Sequence, residues 1–322
     1  MKALVQEEYG EPRDVLEVRE VRDPAPRDDE VLVRVRAASI HIGDVHGVQG
    51  VPYLFRPIYG LRGPRGPVPG TDIAGVVEAV GAKVTHLRPG DEVFGWCKGA
   101  FAEYACAGGG DLVPKPADLP FEDAAALGVS AQVALQALRD YGNVRSGQTV
   151  LVNGASGGVG TFAVQIAKAF GAEVTGVCST RNMEMVRSIG ADHVIDYTVD
   201  DYTDGGVGYE IILDNVGTRP LSETRRALST DGILLSNGAP VGGWTRPLGR
   251  IIRVLVSSWF IRQQGRPVVH AYRKDDLIAL MDLMKAGELG PVIGRTSSLA
   301  EAPEAVGHVA DGHAQGTTVI TT

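Results

Sequence analysis

The sequence predicts an α/β protein, with a β-rich first part followed by a parallel sheet carrying helices on both faces. Three observations predict it. Short apolar runs separated by Gly and Pro fill the first hundred or so residues. From Thr149 onward, strand-length apolar runs alternate with helical segments. Between the first of these runs and its helix lies a glycine-rich turn, Asn153-Gly154-Ala155-Ser156-Gly157-Gly158-Val159-Gly160. Parallel strands need crossovers and helices supply them, so this alternation implies a parallel sheet.

Taken in order, residues 2–6, 31–37, 73–80 and 91–94 have strand lengths, with Pro69-Gly70 and Pro89-Gly90 as turns between them. Such punctuation suggests a compact, barrel-like all-β unit. Residues 47–69 are rich in Gly, Pro, Tyr and Arg and read as a long loop, a kind of segment that often carries function. Near Pro120 the character changes, and residues 121–138 have helical spacing. Strands are then expected at 149–152, 173–178, 193–195, 210–213 and 233–235, with helices at 162–170 and 183–189. After about residue 265 the alternation stops. Residues 275–285 place Leu277, Leu280, Met281 and Met284 on one helical stripe. A last β-like run, 317–320, is expected to return to the first part and complete it.

The 322-residue chain is 44% hydrophobic and 22% charged, enough to pack a core without covalent staples. Its formal charge of −8 argues against an electrostatic nucleic-acid binder, which needs a basic face. A local cluster of Arg246, Arg250 and Arg253 reads as a solvated or helix-flanking set. Three cysteines, Cys97, Cys106 and Cys178, show no paired spacing and fit a reducing compartment. The first residues lack the apolar segment of a secretory signal, and no run reaches membrane-spanning length, so a cytoplasmic location is expected.

The strongest chemical signal is the glycine-rich turn. Ser156, Gly157, Gly158 and Val159 would meet a pyrophosphate there, with Gly157 allowing close backbone approach. The following helix would offer its N–H groups and positive dipole end to the phosphates, and Gly160 would allow that helix to pack closely. Ala155 replaces the first glycine of the usual G-x-G-x-x-G fingerprint, so the turn gains its meaning from its strand–turn–helix setting. At the end of the second strand an NAD site places an acid against the ribose hydroxyls. This chain has Cys178-Ser179-Thr180-Arg181-Asn182 and no acid. Ser179 and Arg181 can instead bind a 2′-phosphate, which favours NADPH. The plainer reading of Arg181 is a solvent-facing residue at a helix start.

These residues, with a series along the whole chain, resemble the medium-chain dehydrogenase/reductase superfamily and its zinc-independent quinone oxidoreductase branch. The series runs from Glu8-Tyr9-Gly10-Glu11-Pro12 through Pro69-Gly70-Thr71-Asp72-Ile73-Ala74-Gly75 and Pro89-Gly90-Asp91-Glu92-Val93-Phe94-Gly95. It continues with Gly99-Ala100-Phe101-Ala102-Glu103-Tyr104 and the glycine turn to Gly190-Ala191-Asp192-His193-Val194-Ile195-Asp196-Tyr197. The resemblance implies a GroES-like catalytic domain over residues 1–122, completed by 266–322, and a Rossmann domain over 123–265. It implies an active site in a cleft between them and a homodimer joined edge to edge through the Rossmann sheets. Carried over by position, Tyr197 would border the 2′-phosphate pocket. Asn215, Val216, Gly238 and Ala239 would line the ribose and nicotinamide end.

Zinc-dependent members of the superfamily bind the metal through a Cys, a His-Glu pair and a further Cys or His. Here the first position matches His41, the second Thr71, and the third falls near Gly128-Val129-Ser130. One ligand type remains where three are needed, so no metal is expected. Without a Lewis acid, a quinone or α,β-unsaturated carbonyl is the easier hydride acceptor, because conjugation spreads the charge that hydride addition creates. His41 is a candidate donor to the substrate oxygen, with a hydrogen-bonded cleft histidine as the alternative. Tyr53 is a candidate phenolic donor, against ordinary loop packing; Tyr59 and His46 read as structural, and Asp44 as orienting its loop. Residues 249–264 read as a helix apolar on most sides, placed in a pocket wall, a dimer contact or at a membrane surface. Reduction of aldehydes or ketones, and a non-catalytic NADPH-binding role, are the competing readings.

Overall fold

The computed structural model describes residues 1–53, 56–204, 206, 208–238, 249, 252–254 and 262–322. The chain divides into two units. One comprises Met1–Ser130, Tyr272–Ala279 and Pro291–Thr322, and the other Ala131–Ala271 and Leu280–Gly290.

The first unit begins with a two-stranded antiparallel pair, β1 (Lys2–Gln6) and β2 (Leu16–Glu20). Its main sheet is built on β3 (Glu30–Ile40), β4 (Asp72–Val80), β5 (Glu92–Trp96), β6 (Tyr104–Gly108) and β7 (Leu112–Pro114), paired antiparallel. Alternating residues Val31, Val33 and Val35 of β3 are buried, as a half-covered antiparallel strand requires. They join Leu4, Ile73, Val77, Val93, Phe101 and Leu112 in the core of this unit. The expected loop at 47–69 starts later than its composition suggested, because a helix runs over Ile42–Gln49 and ends on Gly50 in the left-handed region. A further short helix covers Arg56–Tyr59.

Residues 121–138, whose spacing reads as helical, form Phe121–Ala126, then Val129–Gln136, then a π turn that starts at Ala137 and runs to Tyr141. At the break stands Gly128, where a side chain would not fit, since a Cβ would lie 2.1 Å from the Asp72 side chain. The chain comes that close because Val129 N donates to Asp72 Oδ2 at 2.9 Å.

The second unit holds β8 (Thr149–Asn153), β9 (Glu173–Cys178), β10 (His193–Asp196), β11 (Tyr209–Asp214), β12 (Leu228–Ser236) and β13 (Gln264–Pro267). All pair in parallel, in the order β10-β9-β8-β11-β12-β13. In chain terms this is 3-2-1-4-5-6, the doubly wound dinucleotide-binding order, and it reverses direction between β8 and β11. Helices over Gly158–Ala169 and Met183–Ser188 form the first crossovers. Leu151, Val177, Ile212 and Leu234 are buried among the core side chains of the unit.

The chain then returns to the first unit with β14 (Ile293–Ser298) and β15 (Thr317–Thr321). β15 pairs antiparallel with β3, with Val319 opposite Ser39 and Ile320 opposite Ala38. The architecture is the GroES-like β unit and Rossmann-type sheet that the sequence predicts. Ala239, Pro240, Arg246, Arg250 and most of the 249–264 segment lie outside the described residues.

Candidate functional site

In the first unit a buried polar network forms where β3 gives way to the helix Ile42–Gln49. His41 is the N-cap of that helix. Its Nδ1 accepts from Gly43 N at 3.0 Å, while Asp44 Oδ2 accepts from His41 N at 3.0 Å, completing a capping box. A ring nitrogen that accepts carries no proton, so neutral His41 holds its proton on Nε2. Nε2 lies 2.8 Å from Thr71 Oγ1, to which it donates, and the Thr71 hydroxyl bonds the Asp44 carboxylate. Beside this chain, Asp72 Oδ2 accepts from Ser39 Oγ and Val129 N, both at 2.9 Å.

Burial dominates the electrostatics. It pushes Asp44 up to about 7, against the hydrogen bonds from His41 and Thr71. It pushes Asp72 up to about 6, with His41 acting the other way. The His41 imidazole is held below its ordinary range by the same loss of water. Cys97 lies beside the network, its N–H bonded to Thr71 O, and burial raises its thiol far out of the reactive range.

The positions matched to zinc ligands thus converge. At them stand His41, Thr71 and the Gly128–Val129 backbone, tied into hydrogen bonds. Among the described residues no group of three His, Cys, Asp or Glu is arranged to hold a metal ion.

Tyr53 belongs to a separate aromatic cluster. The Arg56 guanidinium lies 4.5 Å from its ring centroid and 4.9 Å from that of Tyr9. Arg56 Nε also donates to Gly50 O, so this loop is braced against the end of the helix Ile42–Gln49. The side chain of Tyr59 lies outside the described residues. His46 has its Nε2 buried with no partner among the described residues, and burial keeps it neutral-leaning.

In the second unit the glycine turn joins β8 to the helix Gly158–Ala169. Gly154 takes φ 78°, a conformation that suits glycine. Gly160 is required by the turn itself rather than by the sheet, because a Cβ there would lie 2.0 Å from Gly154 O. At Gly157 the nearest protein atom to a Cβ would be Gly154 O at 3.6 Å, so the space beside it is open. Gly157 is also the helix N-cap and supplies no side-chain cap, leaving the first-turn N–H groups of Gly158 and Val159 for another acceptor.

Ser179 caps a short turn over Thr180–Asn182 at the exit of β9. Arg181 is exposed on this turn, and Tyr197, at the exit of β10, is half exposed. The two exits are tied by Asp196, whose carboxylate accepts from Thr180 Oγ1 at 2.5 Å and from Thr198 Oγ1 at 2.7 Å. These bonds hold it below the usual carboxylate range.

At the switch point, Asn153 Nδ2 donates to Asp214 Oδ1 at 2.9 Å. The same oxygen accepts from Val216 N at 3.2 Å and Gly217 N at 2.9 Å, fixing the turn after β11. Asn237 Nδ2 donates to Asn215 Oδ1 at 2.8 Å, and Asn215 Nδ2 is buried with no partner among the described residues. Gly238 packs so tightly on this turn that a Cβ would lie 2.2 Å from Asn215 O.

Sequence reasoning missed Asp72 with Ser39, Asn182, Asp196, and the Asn153–Asp214 pair. Each acts through a partner 16 or more residues away, which local pattern does not reveal. The one available signal was polar residues ending apolar strands.

A β unit of this type joined to a doubly wound sheet with a glycine-rich turn at its switch point defines a dehydrogenase/reductase architecture. Residues 27–117 match the alcohol dehydrogenase GroES-like domain family, and residues 189–320 the family described as zinc-binding dehydrogenase. The chain is 34% identical to the mouse (Mus musculus) NAD(P)H oxidoreductase RTN4IP1, mitochondrial, over 91% of this chain and 81% of that protein. It is 31% identical to the chloroplast envelope quinone oxidoreductase homolog of Arabidopsis thaliana, over 99% and 98%. The solved quinone oxidoreductase of Coxiella burnetii superposes with a TM-score of 0.89 at 27% identity, covering 100% of this chain and 99% of that one. The chain belongs to the medium-chain dehydrogenase/reductase superfamily, among its quinone oxidoreductase homologues, and is an oxidoreductase of that family.

The dinucleotide that this fold implies fits the residues present. The space beside Gly157, the uncapped helix and the Asn215 amide are features left unsatisfied among the described residues.

Proposed function

We propose that the protein is an NADPH-dependent reductase of quinones or α,β-unsaturated carbonyls that works without zinc. Ser156, Gly157, Gly158 and Val159 hold the pyrophosphate, and Ser179 and Arg181, bordered by Tyr197, hold the 2′-phosphate. Asn215, Val216 and Gly238 line the ribose and nicotinamide end, to which the sequence motif also assigns Ala239, and Asn215 Nδ2 gains there an acceptor that it lacks among the described residues. The bound nicotinamide supplies a hydride.

The observation that carries the zinc-free reading is that both ring nitrogens of His41 are engaged within the chain. Nδ1 is taken by Gly43 N and Nε2 by Thr71, and beside them Asp72 Oδ2 is taken by Ser39 and Val129. A metal would have to break these bonds and would find a threonine where relatives that bind zinc offer histidine. Without a Lewis acid, the acceptor must itself spread the negative charge, as a quinone or enone does. His41 keeps its proton on Nε2 and donates it to a substrate oxygen in exchange for Thr71. Tyr53, held by Arg56, lies on the loop that we assign to the substrate side. A homodimer and a reducing compartment complete the proposal; the latter is supported by three unpaired cysteines.

NADPH oxidation against a panel of quinones, enones and simple aldehydes, with and without a chelator, tests this reading. Turnover of quinones or enones that is indifferent to chelator is the expected result. Chelator-sensitive turnover would revive a metal mechanism, and aldehyde-only turnover would replace the acceptor class. Tight NADPH binding with no turnover would leave a binding protein.

A further inference from the structure

Two serine hydroxyls of the second unit receive hydrogen bonds from a single buried amide. Asn182 is 5% exposed, and its Nδ2 donates to Ser156 Oγ at 3.0 Å and to Ser179 Oγ at 3.3 Å. A side-chain amide nitrogen carries two hydrogens, so both bonds are made together. Each hydroxyl then has a lone pair occupied and its own hydrogen left to give. Asn182 N also donates to Ser179 O at 2.9 Å, which closes the turn and fixes the amide between the two serines.

Ser156 precedes the uncapped helix Gly158–Ala169, and Ser179 stands at the exit of β9. The two hydroxyls therefore belong to the two phosphate subsites of the proposed function. We propose that Asn182 is a positioning residue that turns both hydroxyls into donors toward phosphate and thereby sets the preference for the phosphorylated dinucleotide. This rests on the NADPH reading above. Only a donor serves here. A carboxylate of the same shape would accept from both hydroxyls, draw their hydrogens inward and place a negative charge beside two phosphates.

The test is calorimetric binding of NADPH, NADH and adenosine 2′,5′-diphosphate to wild type, Asn182→Asp, Ser179→Ala and the double variant, with thermal melting of each. Asn182→Asp is expected to melt near wild type, since its hydrogen bonds survive in reversed direction. Its Kd for NADPH is expected to rise about 100-fold and that for NADH about 10-fold, the range for losing hydrogen bonds to charged groups. Adenosine 2′,5′-diphosphate should follow NADPH. In the Ser179→Ala background the change to aspartate should alter the NADPH/NADH ratio less than it does in wild type, because the hydroxyl that it turns is gone and only the charge beside the phosphate remains. An unchanged NADPH/NADH ratio in Asn182→Asp, with wild type still preferring NADPH, overturns the role of Asn182 and leaves the cofactor reading standing. Equal affinity of wild type for both dinucleotides overturns both. Should the aspartate variant melt well below wild type, Asn182→Ala removes both donations without adding charge. It should weaken NADPH several-fold more than NADH, and equal weakening overturns the proposal.

Discussion

His41 spends both ring nitrogens inside the protein, one on a helix cap and one on Thr71. These roles separate by substitution. Asparagine is a strong N-cap, so His41→Asn keeps an acceptor for Gly43 N and loses the Nε2 donor. We expect its stability to stay within about 0.5 kcal/mol of wild type, whereas His41→Ala loses about 1 kcal/mol. For His41→Asn, kcat should fall several-fold with the Kd for NADPH unchanged; an unaltered kcat would leave His41 as a cap alone.

Asp44 gives a signed pH dependence. Its folded pKa is raised from the ordinary carboxylate value to about 7, so the native state binds more protons than the unfolded state in between. Stability is therefore lost as pH rises through that window, by an upper bound of about 4 kcal/mol for Asp44 alone. Asp44→Asn removes the ionisation and should flatten the loss. Denaturant unfolding at pH 5 and pH 8 checks this, and parallel curves for wild type and variant would refute it. Arg181→Ala should raise KM for NADPH far more than for NADH, since only the former carries the 2′-phosphate. Equal effects would remove Arg181 from that pocket.

At the scale of elements, the glycine turn divides into positions needed by the fold and positions needed by a ligand. Gly160→Ala would drive a Cβ to 2.0 Å from Gly154 O, so it should destabilise the second unit by about 1–3 kcal/mol. Gly157→Ala meets no protein atom closer than 3.6 Å, so it should melt like wild type but bind NADPH more weakly. Thermal melting beside calorimetry separates the two, and a stable Gly160→Ala would refute the assignment.

Strands such as β1 and β9 were legible from the sequence because their residues are apolar over a strand length. Gln264–Pro267 was not, because β13 is a polar sheet edge ending in proline. Nor was β14, whose residues Ile293–Ser298 are mostly only partly buried or exposed. The break at Gly128 was hidden for another reason, since the side chain it stands against, Asp72, lies more than fifty residues earlier. The residues proposed to face the phosphates were named from the motif, while the amides and carboxylates that bond to their neighbours could not be. Asn182, Asp196 and Asp214 act across turns that only the folded sheet brings together.

For the whole molecule, the strand order and the glycine turn put the proposed dinucleotide contacts among the described residues at the carboxyl ends of parallel strands, where doubly wound sheets bind ligands. The formal charge of −8 makes a phosphorylated ligand depend on local donors rather than on the overall field. No helix among the described residues is long and apolar enough to cross a membrane. Light scattering should give twice the mass of one chain if the proposed homodimer forms, and a single-chain mass would rule it out. The most direct measurement is a crystal structure grown with saturating NADPH and added zinc. The account expects the pyrophosphate on the Gly157–Gly160 turn, the 2′-phosphate on Ser179 and Arg181, and no cation at His41. A zinc ion held by His41 and Asp72, or a turn left bare under saturating cofactor, would contradict it.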